Sequence, residues 1–144
     1  MPVEPVVQTT LEGLAMQVED LSRRVLAFYE TEAQRLGLTL PQAMLLHGLD
    51  RPTPMREVAD RRHCDASNLT GIVDRLEARG LVVRRTPAAD RRVKELVLTD
   101  EGRRIHDELA GLAEDIPGFR ALDAGERAAL ERLLAKALAG FDDP

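Results

Sequence analysis

Residues 65–80, DASNLTGIVDRLEARG, are followed by two short runs rich in β-branched residues, LVVRR at 81–85 and VKELVLT at 93–99. The first stretch predicts an amphipathic helix, because its apolar residues recur at every third or fourth position. The two runs that follow have the composition of strands, and the loop between them, TPAADRR, ends in three charged residues. A helix followed by a hairpin with a basic tip predicts a nucleic-acid-binding element.

The predicted helix has two distinct faces. One face must pack against a core, and its apolar stripe consists of Leu69, Ile72, Val73 and Leu76. The other face carries small polar groups, a glycine and one arginine, which suits close approach to a major groove. The residues of this face are Ser67, Asn68, Thr70, Gly71, Asp74 and Arg75. Asp65 is expected to be the N-cap of this helix and Gly80 its C-terminal stop. Taken alone, the pattern of this face also fits the solvated side of an ordinary amphipathic helix.

A second helix is predicted directly upstream. Thr53 is expected to cap it, Pro54 to occupy its first position, and the helix to end near Arg62. Only residues 63 and 64 then separate it from the cap at Asp65, which is the short connection of a helix-turn-helix.

The loop between the predicted strands is longer than a chain reversal requires, and it carries Asp90, Arg91 and Arg92 at its far end. Arginines at the tip of a projecting loop can enter a minor groove, where negative potential is concentrated. The alternative is a solvated charge cluster, but a helix-turn-helix directly before the loop favours insertion into the groove.

The run SNLTGIVDRLEARGLVVRR (67–85), then DRR (90–92) and VLTDEG (97–102), resembles the winged helix-turn-helix of the MarR (multiple antibiotic resistance regulator) family of bacterial transcription factors. The resemblance implies that four residues lie on the DNA-reading face of the recognition helix: Ser67, Asn68, Thr70 and Arg75. The resemblance also implies that Asp90 braces the wing and that Arg92 contacts DNA. Gly71 departs from the family pattern, since many members carry a larger, often basic residue there.

The net charge of −5 at pH 7 conceals an uneven distribution. Residues 51–106 hold 13 of the 20 Lys and Arg but only 9 of the 25 Asp and Glu, so this segment is basic within an acidic protein. Phosphate contacts need a local positive surface rather than a basic protein. The acidic flanks would discourage non-specific DNA binding by the rest of the molecule.

The predicted fold is a single, mainly α domain with a small β-hairpin wing. Its winged helix-turn-helix covers residues 38–100, and helices flank it over residues 9–37 and 101–141. The helix after the wing is expected to continue through Ile116 to Pro117, and the last helix to begin at Asp123 with Glu126 as its capping partner. The terminal helices are more apolar than one small domain requires, which predicts a homodimer on a palindromic site. The alternative is that they pack on a monomer.

Other chemistries find little support. The spacing of His47, His63, His106 and Cys64 does not suit chelation of one ion, so no metal or cofactor is expected. The sequence has no nucleophile elbow, phosphate loop or paired-carboxylate motif, which argues against an enzyme. Cys64 lies one residue before a helix cap and close to Arg61 and Arg62, so a thiol-based redox sensor is an alternative to a small apolar filler.

The expected function is a ligand-responsive repressor that binds double-stranded DNA. A single cysteine, no bilayer-length apolar run and no secretion signal favour a cytoplasmic protein without a membrane partner. The resemblance implies a small organic ligand where the first two helices meet the helix after the wing. Candidate lining residues, which would fit a core equally well, are Leu26, Tyr29, Met44, His47 and His106. The alternative function is a winged-helix protein-interaction module whose basic wing meets an acidic partner.

Overall fold

The computed structural model describes residues 9–62 and 66–142. A mainly helical chain with a small antiparallel sheet confirms the predicted fold class. The helices are α1 (Leu11–Arg35), α2 (Leu40–His47), α3 (Met55–Arg62), α4 (Ala66–Ala78), α5 (Asp100–Gly111), α6 (Pro117–Arg120) and α7 (Ala124–Asp142). The strands are β1 (Thr53–Pro54), β2 (Val82–Arg85) and β3 (Glu95–Leu98). The expected cap at Asp65 lies outside the described residues.

The chain divides into two compact units after Leu40. The first unit is dominated by α1, which Thr10 caps by accepting a 3.0 Å hydrogen bond from the amide of Gly13. The helix ends at Arg35, and Gly37, with a φ of 68°, provides a left-handed turn after it. Several large apolar side chains of α1 are exposed: Leu11, Leu14, Met16, Val18 and Leu26.

The second unit holds the helix-turn-helix and the wing. The apolar stripe predicted for α4 is buried at three of its four positions, since Leu69, Val73 and Leu76 are each at most 2% exposed, while Ile72 is half-buried. The sequence contains few aromatic residues, so aliphatic side chains fill the core. Its other buried members are Ala43, Leu45, Leu46, Leu49, Val58, Leu81, Val82, Leu96, Ile105, Leu109 and Ile116.

The sheet has three strands, in the order β1-β3-β2. The prediction that Thr53 caps α3 and Pro54 opens it is wrong, because both residues form β1 and the helix begins at Met55. Thr53 pairs with Leu96, and its hydroxyl donates to the carbonyl oxygen of Arg51 at 2.8 Å rather than capping a helix. Proline is tolerated here because β1 is an edge strand.

The wing is a hairpin formed by β2 and β3. Its strands are shorter than predicted, and residues 86–94 connect them. The register pairs Val82 with Leu98 and Arg85 with Glu95. The central position of β3 explains why it buries Leu96, since this strand has a hydrogen-bonded neighbour on both sides.

The helix after the wing is shorter than the sequence predicted. It ends at Gly111, residues 112–115 form a 3₁₀ turn, and Pro117 opens the separate helix α6. The residue before a proline is restricted to extended backbone, and Ile116 accordingly has a ψ of 114°. The apolar spacing continued across this break, so periodicity alone did not locate it.

The last helix, α7, begins with the predicted capping box. The Asp123 amide donates to Glu126 Oε2 at 2.8 Å, and the Glu126 amide donates to Asp123 Oδ1 at 2.9 Å. No residue of α7 is buried. None of the described helices is both long and apolar enough to cross a membrane.

A tight junction joins the end of α4, the wing and the start of α5. Gly80, with a φ of 69°, turns the chain out of α4, and its carbonyl oxygen accepts a 2.6 Å hydrogen bond from the Thr99 hydroxyl. The Thr99 amide donates to the Leu81 carbonyl oxygen at 3.1 Å. The same carbonyl oxygen lies so close to Gly102 that a Cβ there would be only 1.9 Å away. A side chain at residue 102 is therefore incompatible with this junction.

Gly102→Ala should destabilise the fold by about 3 kcal/mol or more, because the backbone at Leu81 would have to move. Gly111→Ala is the matched control in the same helix, since a Cβ there meets nothing within 4 Å. The control should be neutral or slightly stabilising, by about 0.5 kcal/mol. Urea unfolding followed by circular dichroism measures both; equal stability of the two variants would show that the junction does not require glycine.

Candidate nucleic-acid interface

The predicted recognition helix, α4, presents its polar face to solvent. All six residues that the sequence placed on this face are exposed: Ser67, Asn68, Thr70, Gly71, Asp74 and Arg75. Their exposure follows from burial of the opposite face against the core of the second unit. The face is thus available for contact with another molecule.

Gly71 is an exposed glycine in the interior of α4. A Cβ built at this position meets nothing within 4 Å, so packing within the protein does not require a glycine. Glycine in a helix interior costs about 0.5–1 kcal/mol relative to alanine. Because Gly71 has no side chain, the helix surface is flat next to Thr70 and Arg75. A larger side chain at this position would keep a bound molecule farther from the helix backbone.

The tip of the wing is an ordered turn. Asp90 Oδ1 accepts a 2.9 Å hydrogen bond from the Arg92 amide, and the Asp90 carbonyl oxygen accepts one from the Val93 amide at 3.3 Å. Nearer the strands, Lys94 Nζ donates to the Thr86 hydroxyl at 2.7 Å. These bonds hold the loop backbone, while the side chains of Arg91 and Arg92 remain exposed.

Two groups of arginines in the second unit bear on this surface. Those of the first group pair with carboxylates of the protein: Arg51 and Arg61 share Glu57, and Arg85 pairs with Glu95 at 2.9 Å. In the second group, Arg75, Arg91 and Arg92 are exposed. Within residues 9–62 and 66–142, the guanidinium groups of these three arginines form no ion pair. Exposed guanidinium groups without an internal ion pair are therefore present on both the recognition helix and the wing tip.

Arg84 joins the hairpin to the recognition helix. Its Nη2 donates to Asp74 Oδ1 at 2.6 Å, its Nη1 pairs with Glu77, and its amide donates to Glu77 Oε1 at 3.2 Å. The hydrogen bond to Asp74 is the main reason that the pKa of Arg84 is raised above its usual range. Sequence reasoning missed this residue, although acidic residues spaced by three on a helix before a basic strand were a usable signal.

Two histidines of the ligand site suggested by the sequence are neighbours. The ring centroids of His47 and His106 lie 6.3 Å apart, and His106 Nδ1 lies 3.1 Å from Asp107 Oδ1. Met44 is half-buried in the same unit. In the first unit, Tyr29 is half-buried and Leu26 is exposed.

A metal centre is not evident in the part of the chain that the structure describes. No three His, Cys, Asp or Glu residues there are grouped so that they could hold an ion. His63 and Cys64, which the sequence raised as possible ligands or as a redox thiol, lie outside the described residues.

Known proteins resemble this chain in sequence and in fold. Residues 36–93 match the family model described as the MarR family. The chain is 26% identical over 135 residues to the HTH-type transcriptional regulator MgrA of Staphylococcus aureus, and the match covers 92% of each protein.

Two solved structures give the same result. CouR from Rhodococcus jostii RHA1, bound to p-coumaroyl-CoA, is 25% identical with a TM-score of 0.77, over 95% of this chain and 96% of that chain. BpsR of Bordetella bronchiseptica, whose DNA binding is regulated by 6-hydroxynicotinic acid, is 27% identical with a TM-score of 0.69, over 86% and 97%. Residues 36–93, which hold the helix-turn-helix and much of the wing, thus match the MarR family of DNA-binding transcriptional regulators, and relatives along most of the chain share its sequence pattern and fold.

Proposed function

We propose that this regulator is a homodimeric, ligand-responsive repressor that acts in the cytoplasm on a palindromic operator. The observation that carries the proposal is the distribution of its arginines. Arg75 on α4 and Arg91 and Arg92 on the wing are exposed and make no internal ion pair among the described residues, whereas Arg84 and Arg85 are neutralised. Unpaired guanidinium groups on a recognition helix and a wing match the needs of groove and phosphate contacts.

The proposed division of labour follows from the two surfaces. Ser67, Asn68, Thr70 and Arg75 would contact base edges from α4, and Gly71 would allow the helix backbone to approach closely. Arg91 and Arg92 would enter the adjacent minor groove, where Asp90 holds the turn that aims them. Repression is the proposed outcome, because occupancy of a promoter blocks transcription without any further protein contact.

The exposed apolar surface of the terminal helices supports a dimer. On α7, Leu133 is 52% exposed, Leu138 64% and Phe141 88%, and no residue of this 19-residue helix is buried. An open groove of about 620 Å³ runs along it, with an apolar lining that includes Phe119, Leu122, Leu130, Leu134 and Leu138. Exposed apolar surface of this extent marks an interaction site. A second copy of the chain is the proposed occupant, since two-fold symmetry would also present two recognition helices to one operator.

The proposed ligand is a small organic molecule. CouR binds p-coumaroyl-CoA and 6-hydroxynicotinic acid regulates BpsR, so organic acids or their thioesters are the class that these relatives suggest. In the second unit, Met44, His47 and His106 are the proposed contacts, with a sulfur and two imidazoles suited to an aromatic or acidic group. Such a ligand can act only through different affinities for the DNA-competent and DNA-incompetent forms. Leu26 and Tyr29 remain predicted contacts in the first unit.

Arg92→Ala should weaken operator binding by about 1–3 kcal/mol while leaving the fold intact, because it removes a groove contact rather than an internal bond. Asp90→Ala should also weaken binding, since it frees the amide of Arg92 from the turn. Fluorescence anisotropy on operator DNA gives the affinities, and thermal unfolding checks the fold. Wild-type affinity in a folded Arg92→Ala variant would remove the wing from the proposed mechanism.

A dimer is expected in solution at micromolar concentrations. Leu133→Glu combined with Leu134→Glu should dissociate it, because the substitutions place two charges on the exposed apolar face of α7. Arg132→Glu, which changes the net charge by the same amount on the same helix, is the matched control and should stay dimeric. Sedimentation velocity distinguishes the species; a monomeric wild-type protein would contradict the proposed assembly.

The spacing of the operator tests the complete proposal. Two recognition helices on one side of the duplex require half-site centres about 10 bp apart. Inserting about 5 bp should rotate one half-site to the far side and reduce affinity to the non-specific level. The operator would be obtained by selecting genomic fragments with the purified protein. Full affinity for the half-turn insertion would contradict a rigid dimer, and equal affinity for operator and random DNA would favour the protein-interaction module.

A further inference from the structure

Two carboxylates lie on the C-terminal half of the recognition helix. Asp74 is exposed on the polar face of α4, and Glu77 follows three residues later. On a surface that approaches DNA phosphates, unpaired carboxylates would oppose binding, because like charges repel. A positive group paired with these carboxylates would therefore favour the proposed DNA-binding role.

Arg84 meets both carboxylates from the neighbouring hairpin. Its guanidinium contacts Asp74 Oδ1 at 2.6 Å with one nitrogen and Glu77 with another. Two charge-assisted hydrogen bonds from one planar group fix an orientation that a single contact would leave free. With its side chain only 26% exposed, Arg84 is less screened by solvent than the other paired arginines of this surface, since Arg85 is 55% exposed.

The backbone of β2 contributes a third link. As an edge strand, β2 has one side without a hydrogen-bonded neighbour strand. The Arg84 amide donates instead to Glu77 Oε1 at 3.2 Å. Glu77 thus holds both the backbone and the side chain of residue 84, and this arrangement fixes the hairpin against α4.

We propose that the Arg84 bridge, defined as Arg84 with Asp74 and Glu77, is a positioning device that sets the wing in register with the recognition helix. Arg84 touches no DNA; it orients the hairpin that carries Arg92 and offsets one of the two negative charges of the carboxylates. The inference deepens the proposed function, on which it rests for the role of Arg92. If the Arg84 bridge positions the wing, the contribution of Arg92 to operator affinity depends on Arg84.

The next residue of β2 provides a matched control. Arg85 carries the same charge and also forms an ion pair, but its partner is Glu95, which lies opposite it within the hairpin. Arg84→Gln and Arg85→Gln therefore remove the same charge from the same strand. Only the first variant breaks a link to α4.

The first arm of the test uses the free protein. Amide hydrogen exchange at residue 84 should be about tenfold faster in Arg84→Gln than in the wild type, and unchanged in Arg85→Gln. Equal protection of this amide in all three proteins would overturn the bridge as a mechanical link. Because no DNA is present, this arm decides the bridge even if the protein shows no preference between operator and random DNA, a result that would instead reject the proposed function.

The second arm is a double-mutant cycle on operator DNA. Arg92→Ala should cost about tenfold in affinity in the wild-type and Arg85→Gln backgrounds, but less than twofold in the Arg84→Gln background. Arg84→Lys keeps the charge but replaces the planar guanidinium with a flexible ammonium that does not fix the orientation of the bridge, so it should behave as Arg84→Gln does. A tenfold effect of Arg92→Ala in the Arg84→Lys background would show that Arg84 acts through its charge alone, and would overturn the positioning role.

Asp74→Ala keeps the test decisive if the Arg84 variants fail to fold. This change removes one contact of the bridge from the helix side and leaves Glu77 in place. The bridge predicts a reduced contribution of Arg92 to operator affinity. If Asp74→Ala instead tightened binding to all DNA and left the Arg92 contribution unchanged, Asp74 would act only by repulsion and the proposal would be wrong.

Discussion

The close contact between Gly102 and the Leu81 carbonyl oxygen is the constraint on which the DNA-binding unit depends. At this point the recognition helix has ended, the first strand of the wing begins, and α5 leaves the end of the second. Thr99 bonds to Gly80 and Leu81 across the same junction, at 2.6 Å through its hydroxyl and 3.1 Å through its amide. Three elements therefore meet at a few backbone atoms. The contacts of Thr99 and Gly102 with Gly80 and Leu81 fix the direction in which the wing leaves α4.

The Arg84 bridge adds a second link between the same two elements. The junction fixes where the hairpin begins, but the loop that carries Arg92 is separated from it by the whole length of β2. A hairpin held only at its base could rotate relative to α4, whereas a second contact along β2 restricts that rotation. The division of arginines into paired and unpaired groups then has a mechanical meaning, since Arg84 and Arg85 shape the hairpin while Arg91 and Arg92 remain exposed for another molecule.

An acidic protein can bind DNA when its positive charge is arranged in this way. The basic segment 51–106 still holds 9 acidic residues. Several of these acidic residues form internal ion pairs. Glu57 pairs with Arg51 and Arg61, and Glu95 pairs with Arg85. Solvent-exposed pairs of this kind contribute little to stability. Outside these pairs, the exposed guanidinium groups of Arg75, Arg91 and Arg92 place unpaired positive charge on the recognition helix and the wing tip.

By itself, the sequence predicted the recognition helix, its glycine stop at Gly80 and the capping box at Asp123, because these depend on spacing within a few residues. It also identified the polar face of α4 and the basic tip of the wing as the candidate site. Tertiary structure decided the third strand, where Thr53 pairs with Leu96, and the partners of Arg84, which lie seven and ten residues earlier in the chain. It also ended α5 at Gly111, although the apolar spacing continued. Local periodicity is written in adjacent residues, whereas strand pairing and ion pairs depend on which distant atoms the folded chain brings within reach.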